Sequence, residues 1–196
     1  MNENNLSIKR LEALSDGIFA IAMTILVLNI SIPDKETVKQ IGLHNALWEQ
    51  GQEFYSYFLS FFLLSIFWII QHKQMNLLIK TNHTHVWITI WLLMFICLIP
   101  FSASMLSDYG NNRIASTIFC GNMLIVGLIF LQSWLYSIKN NRLIPKDYDR
   151  GKIKKGTRNI LIFISISATA VLVSVVAPSY SGMTFLLIPV LKSFNR

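Results

Sequence analysis

Long apolar runs, separated by short polar connections, dominate the pattern of this sequence. A helix that crosses a bilayer needs about 20 largely apolar residues, and roughly 17–25 are tolerated. Five runs have or approach this length, at residues 14–32, 54–70, 86–106, 114–138 and 160–177. A sixth, at residues 179–194, is shorter and contains Pro189. The pattern therefore predicts an all-α chain of up to six membrane-spanning helices.

The composition shows that these runs are membrane spans rather than buried core segments. Hydrophobic residues make up 53% of the 196 residues and charged residues only 14%, and the mean hydropathy is +0.49. Soluble domains average about 25% charged residues. A chain with so few charges has too little polar surface to face water, so we expect an integral membrane protein.

The positions of the basic residues predict the topology. All but three of the 17 Lys and Arg residues fall in connections on one side of the six predicted spans. The three exceptions are Lys35, Lys39 and Arg113. Because cytoplasmic loops carry the excess of Lys and Arg, both termini are expected in the cytoplasm of a plasma-membrane protein. Two termini on one side require an even number of spans, which favours six over five.

The most basic connection runs from Lys139 to Arg158 and contains eight of the basic residues. It fits a topology anchor best, and a binding site for anionic lipid head groups is the alternative. A nucleic-acid site is not expected, because Tyr148 is the only aromatic residue available for stacking on a base.

Catalytic chemistry has few candidate residues in this chain. Asp16 is the only acidic residue near a predicted hydrocarbon region, so an acid/base pair has no second carboxylate. His83 and His85 stand close together, but two histidines do not complete a metal site. We therefore expect no enzyme, no metal and no cofactor.

Asp16 and Arg10 are the unusual residues, since they stand at the mouth of the first apolar run. Ionisable residues near membrane depth usually face a bundle interior or a water-filled path, which makes them functional candidates. The alternative is a helix N-cap, in which Ser15 or Asp16 accepts hydrogen bonds from free backbone amides. The two interpretations are compatible.

A helical wheel of about 100° per residue places one stripe along the first helix. Relative to Ile21, Ile25 lies about 40° to one side, and Leu28 and Thr24 lie about 20° and 60° to the other. Asp16 falls almost opposite this stripe. The rest of the helix is also apolar, so periodicity alone favours packing or lipid contact over a pore.

Residues 10–17, RLEALSDG, resemble the R-x-x-x-F-S-D signature of the transmembrane protein 175 family, the potassium channels of lysosomes and prokaryotes. Leu14 replaces the usual Phe. Further similar blocks are Phe67-Trp68 with His72 in the second span, and Trp91 with Pro100-Phe101 in the third. Gln71 stands where many prokaryotic members have another His.

The resemblance implies a channel whose first helix lines the pore, without a TVGYG carbonyl filter. It implies a constriction at Ile21, Ile25 and Leu28, with Thr24 as the nearest hydroxyl layer. It also implies supports for the pore helix outside the pore, namely Arg10, Ser15, Asp16, Trp68 and His72. Prokaryotic members carry one six-helix unit per chain, so a homotetramer is expected, with passive K⁺ permeation and modest selectivity over Na⁺.

Two other functions remain open at this point. A proton-coupled secondary transporter would use Asp16 and His72 as proton carriers, although neither inverted repeats nor acids in mid-membrane are found in the sequence. A non-conducting membrane scaffold would use its basic connection to bind lipid or a partner and would show no ion flux.

Overall fold

The computed structural model describes residues 8–188, and this part of the chain is all-helical. The all-α prediction is confirmed for these residues. The α-helices are α1 (Ile8–Ile25), α2 (Lys35–Ile41), α3 (Leu43–Glu49), α4 (Gly51–Leu77), α5 (His83–Cys97), α6 (Ile99–Asp108), α7 (Arg113–Ile138), α8 (Arg150–Val176) and α9 (Pro178–Ser181). Three 3₁₀ segments, Leu26–Asn29, Lys139–Asn141 and Gly182–Leu186, follow α1, α7 and α9.

Five helical stretches in the described part are long and apolar enough to cross a membrane. They are Ile8–Asn29, Gly51–Leu77, His83–Asp108, Arg113–Asn141 and Arg150–Val176. Several begin or end beyond the apolar runs, since polar residues such as Lys, Arg, Glu and Gln extend a helix as readily as apolar ones. Of the sixth predicted span, 179–194, residues 179–188 are helical and include the 3₁₀ segment Gly182–Leu186, and residues 189–194 lie outside the described residues.

The third predicted span is broken near its middle. The α-helix α5 ends at Cys97 and α6 begins at Ile99, with Pro100 in its first turn. Proline has no amide hydrogen and its ring clashes with the carbonyl one turn earlier, so the helix cannot continue unbroken. At the break, the Phe95 carbonyl accepts from the Leu98 amide at 3.2 Å and also from the Asn122 side-chain amide at 3.4 Å.

Asx side chains begin four of the helices. The side chains of Asp34, Asn82, Asn112 and Asp149 accept hydrogen bonds from free backbone amides in the first turns of α2, α5, α7 and α8. Such caps satisfy donors that the helix itself leaves unpaired. At Asp34, the hydroxyl and the amide of Thr37 donate to the carboxylate and hold its pKa below the usual value.

The centre of the bundle is packed by aromatic rings from different helices. Phe67 on α4 lies 5.7 Å from Phe130 and 5.1 Å from Phe163, measured between ring centroids. The helices α7 and α8 approach closely at Gly127, where an added Cβ would stand 2.9 Å from the Phe163 ring. A glycine is therefore needed at this contact. The packed centre includes α4, which is one of the helices that α1 contacts.

Candidate functional site

One face of α1 is packed against the rest of the chain. The helix contacts α4, α5 and α6, and its buried side chains recur every three or four residues, as one helical face requires. These are Leu11, Ser15, Phe19 and Ala22, continued by Leu26 in the following 3₁₀ turn. This face holds α1 to the bundle and determines which residues are left on the other side.

The opposite face of α1 carries the four residues predicted to form the pore stripe. Ile21 is 60% exposed, Ile25 41% and Leu28 78%, and Thr24 is exposed between them. An added Cβ at Gly17, one turn before Ile21, would meet nothing within 4 Å. The structure therefore brings the predicted residues to one face that nothing in the described chain covers.

Thr24 is the polar member of this face, and its hydroxyl has a defined direction. The Thr24 hydroxyl donates its hydrogen to the carbonyl oxygen of Ile21 at 2.9 Å. A hydroxyl has one hydrogen and two lone pairs. With the hydrogen committed to the backbone, the oxygen lone pairs stay available to a cation or to water.

The end of the first helix is tied to two other segments. The Asn29 side-chain amide donates to the carbonyl of Pro100 at 3.0 Å, beside the break in the third span. Beyond it, the Ser31 amide donates to the Glu53 carboxylate at 2.6 Å, and the Gln50 amide donates to the Ser31 carbonyl at 2.8 Å. These anchors were not predicted from the sequence, where the only signal is one Asn inside an apolar run.

A polar layer joins the beginning of α1 to α4. The Trp68 indole N–H donates to Asp16 Oδ1 at 2.9 Å, and the Trp68 ring stacks on the His72 ring with centroids 5.6 Å apart. His72 Nδ1 lies 3.6 Å from Glu12 Oε1, and its Nε2 lies 2.9 Å from the Asn76 amide nitrogen. Asp16, Trp68 and His72 are thus brought together, and Glu12 is a member that sequence reasoning missed.

Ser15 also contributes to the contact between α1 and α4, but its side chain is buried inside the bundle. Its hydroxyl donates to the Leu11 carbonyl at 2.9 Å, and the buried Gln71 side chain donates to Ser15 Oγ at 3.5 Å. The N-cap interpretation of Ser15 and Asp16 is wrong, because α1 already includes residues 8–14. Lys9, Arg10, Leu11, Glu12 and Ala13 all favour a helix, so the helix begins well before the acid.

Arg10 stands apart from this layer. Its side chain is exposed, and within residues 8–188 it has no ion pair or side-chain hydrogen bond. Six residues along a helix correspond to about 9 Å of rise and a rotation of about 120° away from Asp16. The structure therefore does not bring Arg10 and Asp16 together.

The two histidines considered for a metal have other partners. His85 is buried, with Nδ1 3.1 Å from the Thr81 hydroxyl and Nε2 3.4 Å from the Ser133 hydroxyl. His83 accepts from the Trp87 indole at 3.2 Å. In the part of the chain that the structure describes, no three His, Cys, Asp or Glu residues are grouped to hold a metal ion.

Comparison with known proteins gives the following matches. A family model described as endosomal/lysosomal potassium channel TMEM175 matches residues 10–100. A potassium channel of Chamaesiphon minutus is 30% identical over 152 residues, which cover 76% of this chain and 75% of that protein. The endosomal/lysosomal proton channel TMEM175 of Danio rerio is 29% identical over 155 residues, which cover 74% of this chain and 30% of that protein.

A solved structure is similar over almost the whole chain. The crystal structure of a lysosomal potassium-selective channel TMEM175 homolog from Chamaesiphon minutus superposes with a TM-score of 0.84 at 25% sequence identity. The superposition covers 95% of this chain and 96% of that one. All nine residues proposed for the pore and its supports lie inside the 10–100 match, so the matched region contains the whole candidate site.

Proposed function

The chain belongs to the TMEM175 family, and from that membership we propose that it forms a potassium-permeable channel with K⁺ as the permeant ion. The resemblance noted from residues 10–101 is thereby confirmed at the level of the family. The family and the matched relatives are ion channels and not enzymes. They also establish a membrane protein, in agreement with the five long apolar helices.

The observation that carries the proposal is the uncovered face of α1. Ile21, Ile25 and Leu28 are all more than 40% exposed, although the same helix is fully buried on its other side. We propose that four copies of the chain place these faces around one axis. Ile21, Ile25 and Leu28 would then form successive apolar rings around a narrow path.

A ring of isoleucines affects ion passage by controlling whether water fills the constriction. Hydrophobic constrictions gate by dewetting, and their side chains offer no oxygen to replace the hydration shell of an ion. In this proposal the Thr24 hydroxyl layer, with its lone pairs free, supplies the oxygen ligands beside the Ile21 and Ile25 rings. One hydroxyl per subunit makes modest selectivity for K⁺ over Na⁺ the expected outcome.

The polar layer between α1 and α4 is proposed to hold the pore helix in place. Asp16, Trp68 and His72 connect the two helices on the outer side of α1, and Ser15 with Gln71 adds a buried contact. Arg10 is proposed as a support at the end of the same helix. In this arrangement the termini are cytoplasmic in a plasma membrane, as the distribution of Lys and Arg predicts.

Single-channel recording of the purified protein in planar bilayers tests this function, with K⁺ on one side and Na⁺ on the other. Unitary currents that reverse toward the potassium equilibrium potential support the channel. Currents carried by protons alone, or the absence of any flux, would overturn the potassium assignment.

The rival transporter, with Asp16 and His72 as proton carriers, predicts a different measurement. Uptake into liposomes would saturate, require a proton gradient and disappear in Asp16→Asn and His72→Gln. A channel that uses these residues only as supports keeps passing K⁺ in both variants without a proton gradient. Parallel flux assays of the two variants therefore separate the two functions.

A further inference from the structure

A groove of about 220 Å³ lies between α4, α7 and α8, and none of the described residues that line it belongs to α1. Most of its lining residues are apolar. The wall residues from the middle of α4 and α8 are Ile66, Ile69, Ile70, Ile162, Phe163 and Ile166. Trp134 of α7 lies at the side of the groove.

One end of the groove is polar and positively charged. Lys73 on α4 and Lys152 on α8 line this end, with Asn159 and the Tyr148 ring beside them. Both lysine side chains are exposed. Among the described residues that line the groove, none is acidic. The acids Asp147 and Asp149 flank Tyr148 in the sequence but do not line it.

The polar and apolar parts follow one another along the axes of α4 and α8. Lys73 stands seven residues after Ile66 on α4. On α8, Lys152 stands fourteen residues before Ile166, with Asn159 midway between them. Seven residues correspond to about 10 Å of helix rise. Toward this end, an apolar stretch about 10 Å long gives way to Lys73 on α4, and to Asn159 and then Lys152 on α8. Lysines at such helix ends are expected at the level of the lipid head groups.

We propose that this groove binds an anionic phospholipid, with the phosphate at Lys73 and Lys152 and one acyl chain along the isoleucines. The positive charge of Lys73 and Lys152 favours an anionic lipid over other possible ligands of the groove. A zwitterionic lipid brings no net charge to the two lysines, whereas an anionic head group brings a net negative charge that attracts them. Lys192 and Arg196 of the chain's own C-terminal residues would bring more positive charge.

The proposal is tested by native mass spectrometry of the intact protein in neutral detergent. Dioleoyl phosphatidylglycerol is titrated against dioleoyl phosphatidylcholine, and the bound molecules per chain are counted. A lysine near an anionic surface contributes about fivefold in affinity. Lys73→Gln with Lys152→Gln is therefore expected to weaken phosphatidylglycerol binding about thirtyfold. Lys80→Gln with Lys154→Gln removes the same charge from the same side without touching the groove.

A second pair of variants tests the apolar part. Ile69 lines the groove and is 38% exposed, so Ile69→Trp fills it without displacing a buried side chain. Leu172→Trp adds the same ring to an exposed position of α8 outside the groove. Loss of bound phosphatidylglycerol only in Ile69→Trp supports the site.

Three results would overturn the lipid site. Equal retention of the two lipids would show that charge is not recognised. Equal losses in the two lysine pairs would indicate a diffuse electrostatic effect. A change of oligomeric state in Ile69→Trp, with lipid binding unchanged, would show that the groove is covered by another copy or by residues 189–196. The measurement reads binding and does not depend on ion conduction.

Discussion

The hydrogen bond between Trp68 and Asp16 offers the most direct test of how α1 is held. The two residues are 52 positions apart in the sequence and join the pore-helix candidate to α4. Trp68→Phe removes the indole N–H but keeps an aromatic ring to stack on His72. Asp16→Ala removes the acceptor. The two single variants and the double variant form a double-mutant cycle.

The expected size of the coupling follows from the geometry. A hydrogen bond to a charged group contributes about 1.5–3 kcal/mol when it is shielded from solvent. Trp68 is 39% exposed and Asp16 is also exposed, so screening lowers the contribution. We expect a coupling energy of about 1 kcal/mol, or about fivefold in the unfolding equilibrium.

The assay is unfolding in mixed detergent micelles, followed by circular dichroism so that loss of a tryptophan does not distort the signal. Trp87→Phe, which removes the indole that donates to His83, serves as the matched control. We expect coupling of Trp68 with Asp16 and additivity of Trp87 with Asp16. Additive effects of Trp68→Phe and Asp16→Ala would refute the role of this bond in holding α1.

Three further predictions concern the pore stripe and the packed centre. Ile21→Asn should raise K⁺ conductance several-fold, because a polar ring holds water, whereas Leu172→Asn on α8 should not; equal conductance in wild type and Ile21→Asn would remove Ile21 from the constriction. Thr24→Val should lower the K⁺/Na⁺ permeability ratio and Thr24→Ser should keep it, since only the valine lacks the oxygen; an unchanged ratio in Thr24→Val speaks against the hydroxyl layer. Gly127→Leu should destabilise the fold by about 1–3 kcal/mol or more, because its side chain overlaps the Phe163 ring; a melting temperature equal to wild type would contradict this packing.

The membrane class and most of the helices could be predicted from the sequence, because hydropathy and helix length are local properties. The 100° period places Ile21, Ile25 and Leu28 on one stripe, and the family resemblance identified this stripe as the pore-lining one. Periodicity alone could not distinguish a pore-lining side of the helix from a packed or lipid-facing side. A helix that is apolar on every side has no polar face to show which side is buried.

The tertiary structure decided which side of α1 is covered and what holds it. Leu11, Phe19 and Leu26 are as apolar as Ile21, yet they are buried because α4, α5 and α6 lie on their side. The pairing of Asp16 with Trp68 depends on the position of α4 beside α1, and the position of Arg10 depends on α1 including the residues before Asp16. Sequence determines the elements through local preference, whereas contacts between residues far apart in the chain exist only once the helices have packed.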